Sequence, residues 1–483
     1  MSVIDAARWE NSAYRPVPTI IEAAEALYAG HDVREIAHFH ADNLNLTADK
    51  IIEVIRRAQQ ECHKVICFVT GVPGAGKTLA GLNVVHNPAL RQQGRPPGVF
   101  LSGNGPLVKI ISAAITRDFK RRTRQQDGER KIRALVQNVH TFVREALERP
   151  DAPPAENVVV FDEAQRAWDS EQTARKTGRE DSEPAMLLSI MDRHEWAVVV
   201  ALVGAGQEIN IGEAGLAEWG RSLQQRFSHW RVVASPKALD GDASLAGQRL
   251  FDNASAPVPV LQQEPALHLE VCLRSYRAKQ VTEWVNAVLA GDSARAAAIV
   301  RDISRFPIRL TRSLLTAKEW LRGQARGLRR CGLVASSGAV RLRPEGLELS
   351  SGFRQGNRDM YVHWFLAPPG DIRASNQLEI AASEFECQGL ELDWMGVCWG
   401  GDFTYNQAAG GWQHRNFSGN RWGEVHNAVD RQYLLNTYRV LLTRAREGLV
   451  IWVPKGDSTD PTRPLDWFDA TFDYLVSCGM IEI

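Results

Sequence analysis

The segment from Gly71 to Thr78 constrains the fold of this 483-residue chain more than any other feature. It follows the apolar run Val65–Val69 and precedes a helical pattern that starts at Lys77. Its residues fit the pattern GxxxxGK followed by Ser or Thr, and they are Gly71, Val72, Pro73, Gly74, Ala75, Gly76, Lys77 and Thr78. In such a loop the backbone N–H groups and the next helix's N-terminus converge on phosphate oxygens, which requires a strand before and a helix after. The sequence therefore predicts a phosphate-binding loop at the edge of an α/β sheet.

A second pattern supplies the acidic residues that a nucleotide site needs. The run Val158–Phe161 predicts another buried strand, and Asp162 and Glu163 follow at its carboxyl end, where ligands bind in parallel sheets. We predict that Lys77 reaches the β- and γ-phosphates and that Thr78 and Asp162 hold Mg²⁺, with Asp162 acting through water. Glu163 is the predicted general base for the attacking water. The chain is thus predicted to bind ATP or a related nucleoside triphosphate with Mg²⁺ and to hydrolyse it.

Short apolar runs alternate with helical patterns along the chain, which favours parallel α/β sheets. The runs are Val65–Val69, Val99–Leu101, Val158–Phe161, Val198–Val203, Leu333–Ala335, Val397–Trp399 and Gly448–Val453. Helices are predicted over Ile20–Tyr28 and Thr47–Cys62, with Thr47 as the N-cap of the second. The stretch between Asp240 and Pro265 is rich in small and polar residues and is interpreted as a connection. We predict a helical extension over 1–44, a first lobe over 45–265 and a second over 266–483.

Composition narrows the classes of function. Lys and Arg total 57 and so do Asp and Glu, so any surface for nucleic acid must be a local patch. The seven cysteines form no CxxC pair, which argues against a disulfide scaffold or a zinc ribbon. The first residues lack a basic segment followed by an apolar run, and no stretch approaches the ~18 apolar residues of a membrane span. We expect a cytoplasmic protein without a membrane segment.

Further segments, taken in chain order, resemble the motifs of superfamily 1 helicases. More specifically, they resemble the Schlafen group 3-like DNA/RNA helicase domain. Besides the phosphate-binding loop, these segments are Leu101–Leu107 (motif Ia), Asp162–Trp168 (the DExx box), Val203–Asn210 (motif III), Leu269–Ser275 (motif IV), Ser383–Glu391 (motif V) and Asn436–Arg446 (motif VI). The resemblance covers about residues 45 to 455, and the collinear order of the motifs makes it specific.

The resemblance implies two RecA-like lobes with parallel sheets and a nucleotide in the cleft between them. Arg274 and Arg444 would reach the γ-phosphate from the second lobe as arginine fingers that neutralise transition-state charge. Gln165 and Gln207 would sense the γ-phosphate and couple its loss to movement of the lobes.

Other positions at the nucleotide site match the family less closely. The resemblance places Gln388 and Glu391 at the lobe interface, as part of the nucleotide site. Lys50 stands where related helicases carry an adenine-reading Gln. Ala205 follows Gly204 where motif III usually has Asp. The choice between ATP and GTP is therefore open.

Two basic segments and four tryptophans are candidates for contact with nucleic acid. Arg117–Arg133 follows motif Ia and would track phosphates; the alternative is a solvated helical face or loop. Arg322–Arg330 is a second basic candidate. Unpaired bases stack on aromatic rings, and the candidate platforms are Trp168, Trp219, Trp399 and Trp412. The alternative for each tryptophan is packing in the core.

The leading hypothesis is an ATP-dependent nucleic-acid translocase or helicase. The alternative is an ATP-driven switch that gates a partner effector such as a nuclease, without processive unwinding. A small-molecule kinase would leave motifs IV to VI unexplained. Tyr14–Ile21 resembles the family's linker after a nuclease-like domain, and because none precedes it here, we expect a separate effector protein. A translocase differs from a switch in hydrolysing many ATP molecules per binding event.

Overall fold

All seven predicted apolar runs coincide with β-strands of a computed structural model of the chain, and two of them extend one residue past their strand, at Trp399 and Val453. The strands pair in parallel to form two sheets, and this confirms the predicted α/β fold class with two RecA-like lobes. The structure describes residues 19–29, 41–72, 74–87, 90, 98–123, 132, 134–204, 215–241, 245, 247–251, 259–270, 276–303, 306–327, 329–349 and 360–483.

The first sheet has the order β3-β2-β4-β5-β1-β6-β7, and a short strand β8 also pairs with β1. Its strands are β1 (Lys64–Gly71), β2 (Gly98–Ser102), β3 (Val136–Asn138), β4 (Val158–Asp162), β5 (Ala197–Val203), β6 (Arg231–Ala234), β7 (Leu261–Gln263) and β8 (His268–Leu269). The strand that carries the phosphate-binding loop therefore lies inside the sheet, next to β5.

Both faces of this first sheet are buried. Alternate residues of β1 enter different apolar clusters, Ile66 and Phe68 on one face and Cys67 and Val69 on the other. A strand that is buried on both sides reads as a continuous apolar run, which is why the sequence pattern identified it. The helices of this part of the chain are α1 (Ile20–Tyr28), α2 (Ala41–Gln60), α3 (Lys77–His86), α4 (Gly105–Thr123), α5 (Val139–Leu147), α6 (Ser170–Thr177), α7 (Glu183–Met191), α8 (Gly215–Gln225) and α9 (Pro236–Asp240).

The second sheet has the order β11-β12-β10-β13-β17-β9-β18. Its strands are β9 (Ile308–Thr311), β10 (Cys331–Ala335), β11 (Glu348–Leu349), β12 (Ile380–Ala382), β13 (Leu392–Cys398), β17 (Ala445–Trp452) and β18 (Ile481–Glu482). Its helices are α10 (Tyr276–Leu289), α11 (Ser293–Asp302), α12 (Leu314–Gln324), α13 (Met360–Leu366), α14 (Glu384–Cys387), α15 (Ala428–Leu442) and α16 (Leu465–Ser477). A small antiparallel sheet contains β14 (Phe403–Asn406), β15 (Gly411–Ser418) and β16 (Arg421–Glu424). Within the described residues, no helix combines the length and apolar character of a membrane span.

Helix α1 has the predicted bounds, but α2 does not begin where the sequence predicted. Thr47 was expected to be the N-cap of α2, yet the helix starts at Ala41. Thr47 is fully buried, and its hydroxyl donates to the carbonyl oxygen of Ala266 at 2.6 Å. Leu44, which is also buried, belongs to the apolar face of the helix upstream of Thr47. A long-range contact therefore uses the hydroxyl that local sequence rules assign to a cap.

The interpretation of 240–265 as a connection is only partly right. Its described carboxyl-terminal part contains β7, which pairs with β6 at the edge of the first sheet. The side chains of this strand are exposed, so it lacks the apolar run by which the other strands were found.

Two of the predicted stacking platforms are core residues instead. Trp219 and Trp399 have no exposed surface, which excludes stacking of a base on either ring. Trp399 stacks on Phe403 in the second lobe, with ring centroids 6.2 Å apart. Trp412 is half-buried, stacks on Phe403 at 4.4 Å, and its indole N–H donates to the Val288 carbonyl. The fourth candidate, Trp168, lines a pocket in the first lobe.

We predict that Gly220→Ala destabilises the first lobe. A Cβ atom at this position in α8 would lie 1.6 Å from the backbone oxygen of Leu250, so one of the two segments would have to shift. Overpacking of this kind lowers the free energy of unfolding by about 1–3 kcal/mol. Equilibrium urea denaturation followed by circular dichroism measures the change.

Gly323→Ala is the matched control, because this glycine is also helical and a Cβ there meets nothing within 4 Å. Alanine at an open helical position leaves stability unchanged or raises it by up to ~1 kcal/mol. Equal stability of the two variants would contradict the close packing of α8.

Candidate functional site

The phosphate-binding loop links the end of β1 to the start of α3. Gly74 and Gly76 have φ values of 77° and 87°, in the left-handed region that favours glycine. The Lys77 ammonium donates to the carbonyl oxygens of Gly71 at 2.8 Å and Val72 at 3.3 Å. Its charge therefore lies over the loop, where the motif predicts a phosphate. Ala75 is buried within the loop, and Pro73 lies outside the described residues.

The two predicted metal ligands are in direct contact. The Thr78 hydroxyl lies 3.2 and 3.1 Å from the two carboxylate oxygens of Asp162 and donates to that group. Asp162 is the last residue of β4, and only 3% of its surface is exposed. Burial, and after it the charge of Glu163, raises the pKa of Asp162 above its usual value. A hydroxyl beside a carboxylate is a donor set that suits a hard cation such as Mg²⁺.

Gln165 ties Glu163 to the end of the neighbouring strand β5. Its amide nitrogen donates to a carboxylate oxygen of Glu163 at 2.6 Å, and its amide oxygen accepts from the backbone N–H of Gly204 at 2.9 Å. A Cβ atom on Gly204 would lie 3.4 Å from both Glu163 Oε2 and Lys77 Cε. The strand ends of β1, β4 and β5 thus bring these side chains together.

Glu163 has a backbone conformation that is uncommon for a residue with a side chain. Its φ of 54° lies in the left-handed region, which is typical of strained positions at functional sites. The turn that follows is anchored from below by Trp219, whose indole N–H donates to the carbonyl oxygen of Ala164 at 2.9 Å. This role of Trp219 is not visible in the sequence, because it depends on the packing of α8 against the turn.

Gln388 of the motif V segment contacts two strand ends of the first lobe. The Arg166 guanidinium donates to the Gln388 side-chain oxygen at 2.5 Å. The Asn104 side-chain amide donates to the Gln388 backbone oxygen at 2.7 Å. Gly389 has a φ of 79°, and a Cβ there would lie 3.1 Å from Leu107 of α4. Sequence reasoning did not single out Arg166, although it lies inside the DExx segment next to Gln165.

Other predicted site residues are held within the second lobe. Glu391 faces Arg446, with 3.7 Å between its carboxylate and the guanidinium. Arg444 is buried, with 2% of its surface exposed, and its carbonyl oxygen accepts from the backbone N–H of Leu392 at 3.2 Å. Arg274 and Gln207 lie outside the described residues.

Lys50, at the position of the usual adenine-reading Gln, is part of an ion-pair network. Its ammonium lies 3.0 Å from Glu53 on the same helix and 3.1 Å from Glu264. The side chain therefore links α2 to the segment between β7 and β8.

Parts of both basic segments are committed to contacts inside the chain. Arg117 donates to the carbonyl oxygen of Leu366 in the second lobe at 3.0 Å, and Arg122 pairs with Asp118. Arg330 donates to the Ala367 carbonyl at 2.9 Å. Arg329 forms an ion pair with Glu447. Arg124, Arg130, Lys131 and Arg133 lie outside the described residues, and nucleic-acid contact by either segment stays a prediction.

Comparison with known proteins identifies the family. The Schlafen group 3 DNA/RNA helicase domain matches residues 64–455, and the chain belongs to this family. This confirms the resemblance seen in the motifs. No curated protein matches the chain.

Among solved structures, the DUF1998 helicase MrfA bound to DNA matches with a TM-score of 0.34 and 10% sequence identity. The match covers 91% of this chain and 52% of that one, so the chain spans about half the length of that helicase.

We predict that the bond between Arg166 and Gln388 couples the two lobes energetically. Gln388→Ala removes the side-chain oxygen but keeps the backbone oxygen that Asn104 contacts. In a double-mutant cycle with Arg166→Ala, the coupling energy is expected to be about 1.5–3 kcal/mol, because the donor is charged. The free energy of unfolding of the four proteins in urea measures it.

The exposed ion pair between Arg343 and Glu348 supplies a control cycle, since 56% and 49% of their side-chain surfaces are in solvent. Exposed pairs contribute about 0–1 kcal/mol. Strict additivity of Arg166→Ala and Gln388→Ala would show that the interlobe bond carries no coupling.

Proposed function

We propose that the chain is an ATP-dependent nucleic-acid translocase or helicase of superfamily 1 type, which hydrolyses ATP in the cleft between its two lobes. The observation that carries the proposal is the convergence of Lys77, Thr78, Asp162 and Glu163 at one sheet edge. Support also comes from membership of a DNA/RNA helicase family. The proposed lobes are 45–265 and 266–483, after an extension over 1–44, of which residues 1–18 and 30–40 lie outside the described residues.

In this proposal the phosphate-binding loop holds the triphosphate. Its backbone N–H groups and the N-terminus of α3 face the phosphates, and Lys77 exchanges the carbonyls of Gly71 and Val72 for β- and γ-phosphate oxygens. Thr78 would hold Mg²⁺ directly and Asp162 would hold it through water, as a carboxylate. When bound, Mg²⁺ would supply positive charge that stabilises the negative charge developing on the phosphates.

Glu163 is the proposed general base. A base must be held in position before the reaction, and the bond from Gln165 provides that restraint. Because Gln165 also contacts the backbone of Gly204, a change at the γ-phosphate would reach motif III through the same side chain. Arg274 and Arg444 would complete the site from the second lobe, and Gln207 would act with Gln165 as a sensor. Gln388 and Glu391 would contribute from motif V.

The proposed coupling between hydrolysis and movement runs through the turn after β4. Arg166 follows Gln165 directly and contacts Gln388 of the second lobe. Movement of Gln165 would therefore alter a contact that joins the lobes. Nucleic acid lying across both lobes would be stepped along as the cleft closes with ATP and opens after hydrolysis.

The proposed partners are a nucleic-acid strand and a separate effector protein such as a nuclease. Stepping along a strand needs repeated hydrolysis during one binding event, whereas gating of an effector needs a single change of state. We therefore retain the ATP-driven switch as the alternative, and turnover on nucleic acid separates the two.

We predict that at least one of three polymers, single-stranded DNA, duplex DNA or RNA, stimulates steady-state ATP hydrolysis by the full chain. Lys77→Ala removes the charge that stabilises the transferred phosphate, so we expect hydrolysis to fall by about 10²-fold or more. Release of inorganic phosphate with and without each polymer measures both effects.

Lys455→Ala is the matched control, because this lysine is exposed and lies on the second lobe, after β17. Its hydrolysis should equal that of the unmodified protein. ATP binding without stimulation by any polymer would contradict a translocase and support the switch.

A further inference from the structure

A pocket of about 180 Å³ lies beside Glu163 in the first lobe, and the proposed hydrolytic mechanism does not use it. It is formed by the ends of β2 and β4, the start of α5, and helix α6. Its volume is below the ~300–1,000 Å³ of sites for drug-sized ligands, so it suits a single planar ring rather than a nucleoside triphosphate.

Two stacked rings form one side of this pocket. The His140 ring lies 3.9 Å from the Trp168 ring, measured between centroids, with 25° between their planes. Trp168 is half-buried, and 31% of the His140 side chain is exposed, so the pair is accessible from the pocket. An aromatic surface of this kind is the usual partner for an unpaired base.

A buried carboxylate holds the His140 ring and the backbone of Trp168 in place. Glu183, with 3% of its surface exposed, accepts from His140 Nδ1 at 2.8 Å. The other oxygen of the same carboxylate accepts from the Trp168 backbone N–H at 3.2 Å. The Asn138 side chain caps α5 by accepting from the His140 N–H at 3.1 Å. The platform is therefore pre-organised, which lowers the entropy cost of binding a ring to it.

The polar groups around the rings suit a nucleotide within a strand. Lys176 lines the pocket from α6 and is exposed, so its ammonium can face an adjoining phosphate. Gln172 also lines it, and its side-chain amide can offer both a donor and an acceptor to the edge of a base. Because these groups do not match the hydrogen-bonding pattern of one particular base, we expect the pocket to accept different bases.

We propose that this pocket binds one unpaired nucleobase of the nucleic-acid strand, stacked on the Trp168–His140 pair. The inference deepens the proposed function and rests on it. Arg166 and Glu163 line the same pocket, so a bound base lies next to the interlobe bond and the proposed general base. Occupation of the pocket would thus give nucleic acid a direct route to stimulate hydrolysis.

The test measures binding of labelled single-stranded oligothymidine and oligouridine to the full chain by fluorescence anisotropy at one fixed salt concentration. Stacking of one base contributes ~1–3 kcal/mol, so Trp168→Ala should weaken binding by about 5- to 150-fold. Trp168→Phe keeps an aromatic ring and should retain most of the affinity. Trp422→Ala, on the small antiparallel sheet of the second lobe, is the control and should bind as the unmodified protein does.

A second arm uses the same oligonucleotides with one abasic position moved along the strand. At one position, the missing base should weaken binding to the unmodified protein. The same abasic strand should have little further effect on binding to Trp168→Ala, because that variant has already lost the stacking partner. Loss confined to DNA or to RNA would identify the strand that the pocket accepts.

Unchanged affinity of Trp168→Ala, or equal effects of the abasic position on both proteins, would overturn the inference. Polymer-stimulated hydrolysis measured on the same proteins separates the two claims. If nucleic acid stimulates the unmodified protein and Trp168→Ala binds the oligonucleotides equally well, the proposed function is supported and the pocket is not. If Trp168→Ala binds the oligonucleotides more weakly but no polymer stimulates ATP hydrolysis by any of the proteins, the pocket is supported and the translocase is not. Thermal unfolding of each variant excludes loss of fold as the cause.

Discussion

A single buried glutamine side chain connects the parts of this structure that the proposed function depends on. Gln165, with 1% of its surface exposed, donates to Glu163 and accepts from the backbone of Gly204. A buried amide needs partners for both ends, so the two bonds hold the ends of β4 and β5 in one arrangement. The next residue, Arg166, contacts Gln388 of the other lobe. The proposed base and an interlobe contact therefore share one short turn.

In the second lobe, buried carboxylates fix the segments around Gln388 by hydrogen bonds. Glu384 accepts from the backbone N–H and the hydroxyl of Ser337 at 2.8 and 2.6 Å, and burial raises its pKa to about 7. Asp402 accepts from the Tyr438 hydroxyl at 2.8 Å, and burial also raises the pKa of this carboxyl. These bonds join the segments of motifs V and VI to the ends of β10 and β13. Hydrogen-bonded carboxylates in a low-dielectric interior fix local geometry, because leaving either partner unsatisfied is costly.

The sequence was sufficient to predict the features that depend on local patterns. Buried parallel strands appear as apolar runs, and the loop and its helix need glycines and a lysine at set spacings, as Gly76 and Lys77 show. It could not predict features that depend on distant contacts. Thr47 fits the pattern of a helix N-cap, but its hydroxyl bonds to the carbonyl of Ala266. Trp219 was a candidate for base stacking, but its indole N–H bonds to the turn after β4. Arg166 and its partner are separated by more than two hundred residues, so no local pattern could pair them.

The central claim is that the chain moves along nucleic acid, and the dependence of ATP hydrolysis on strand length tests it most directly. The measurement uses strands of increasing length, each at saturating concentration and each longer than the binding site, of the polymer that stimulates hydrolysis. A translocase takes more steps on a longer strand before it dissociates, so kcat should rise with length and then level off. The same kcat on every strand would contradict movement and would indicate that nucleic acid only switches the protein between states.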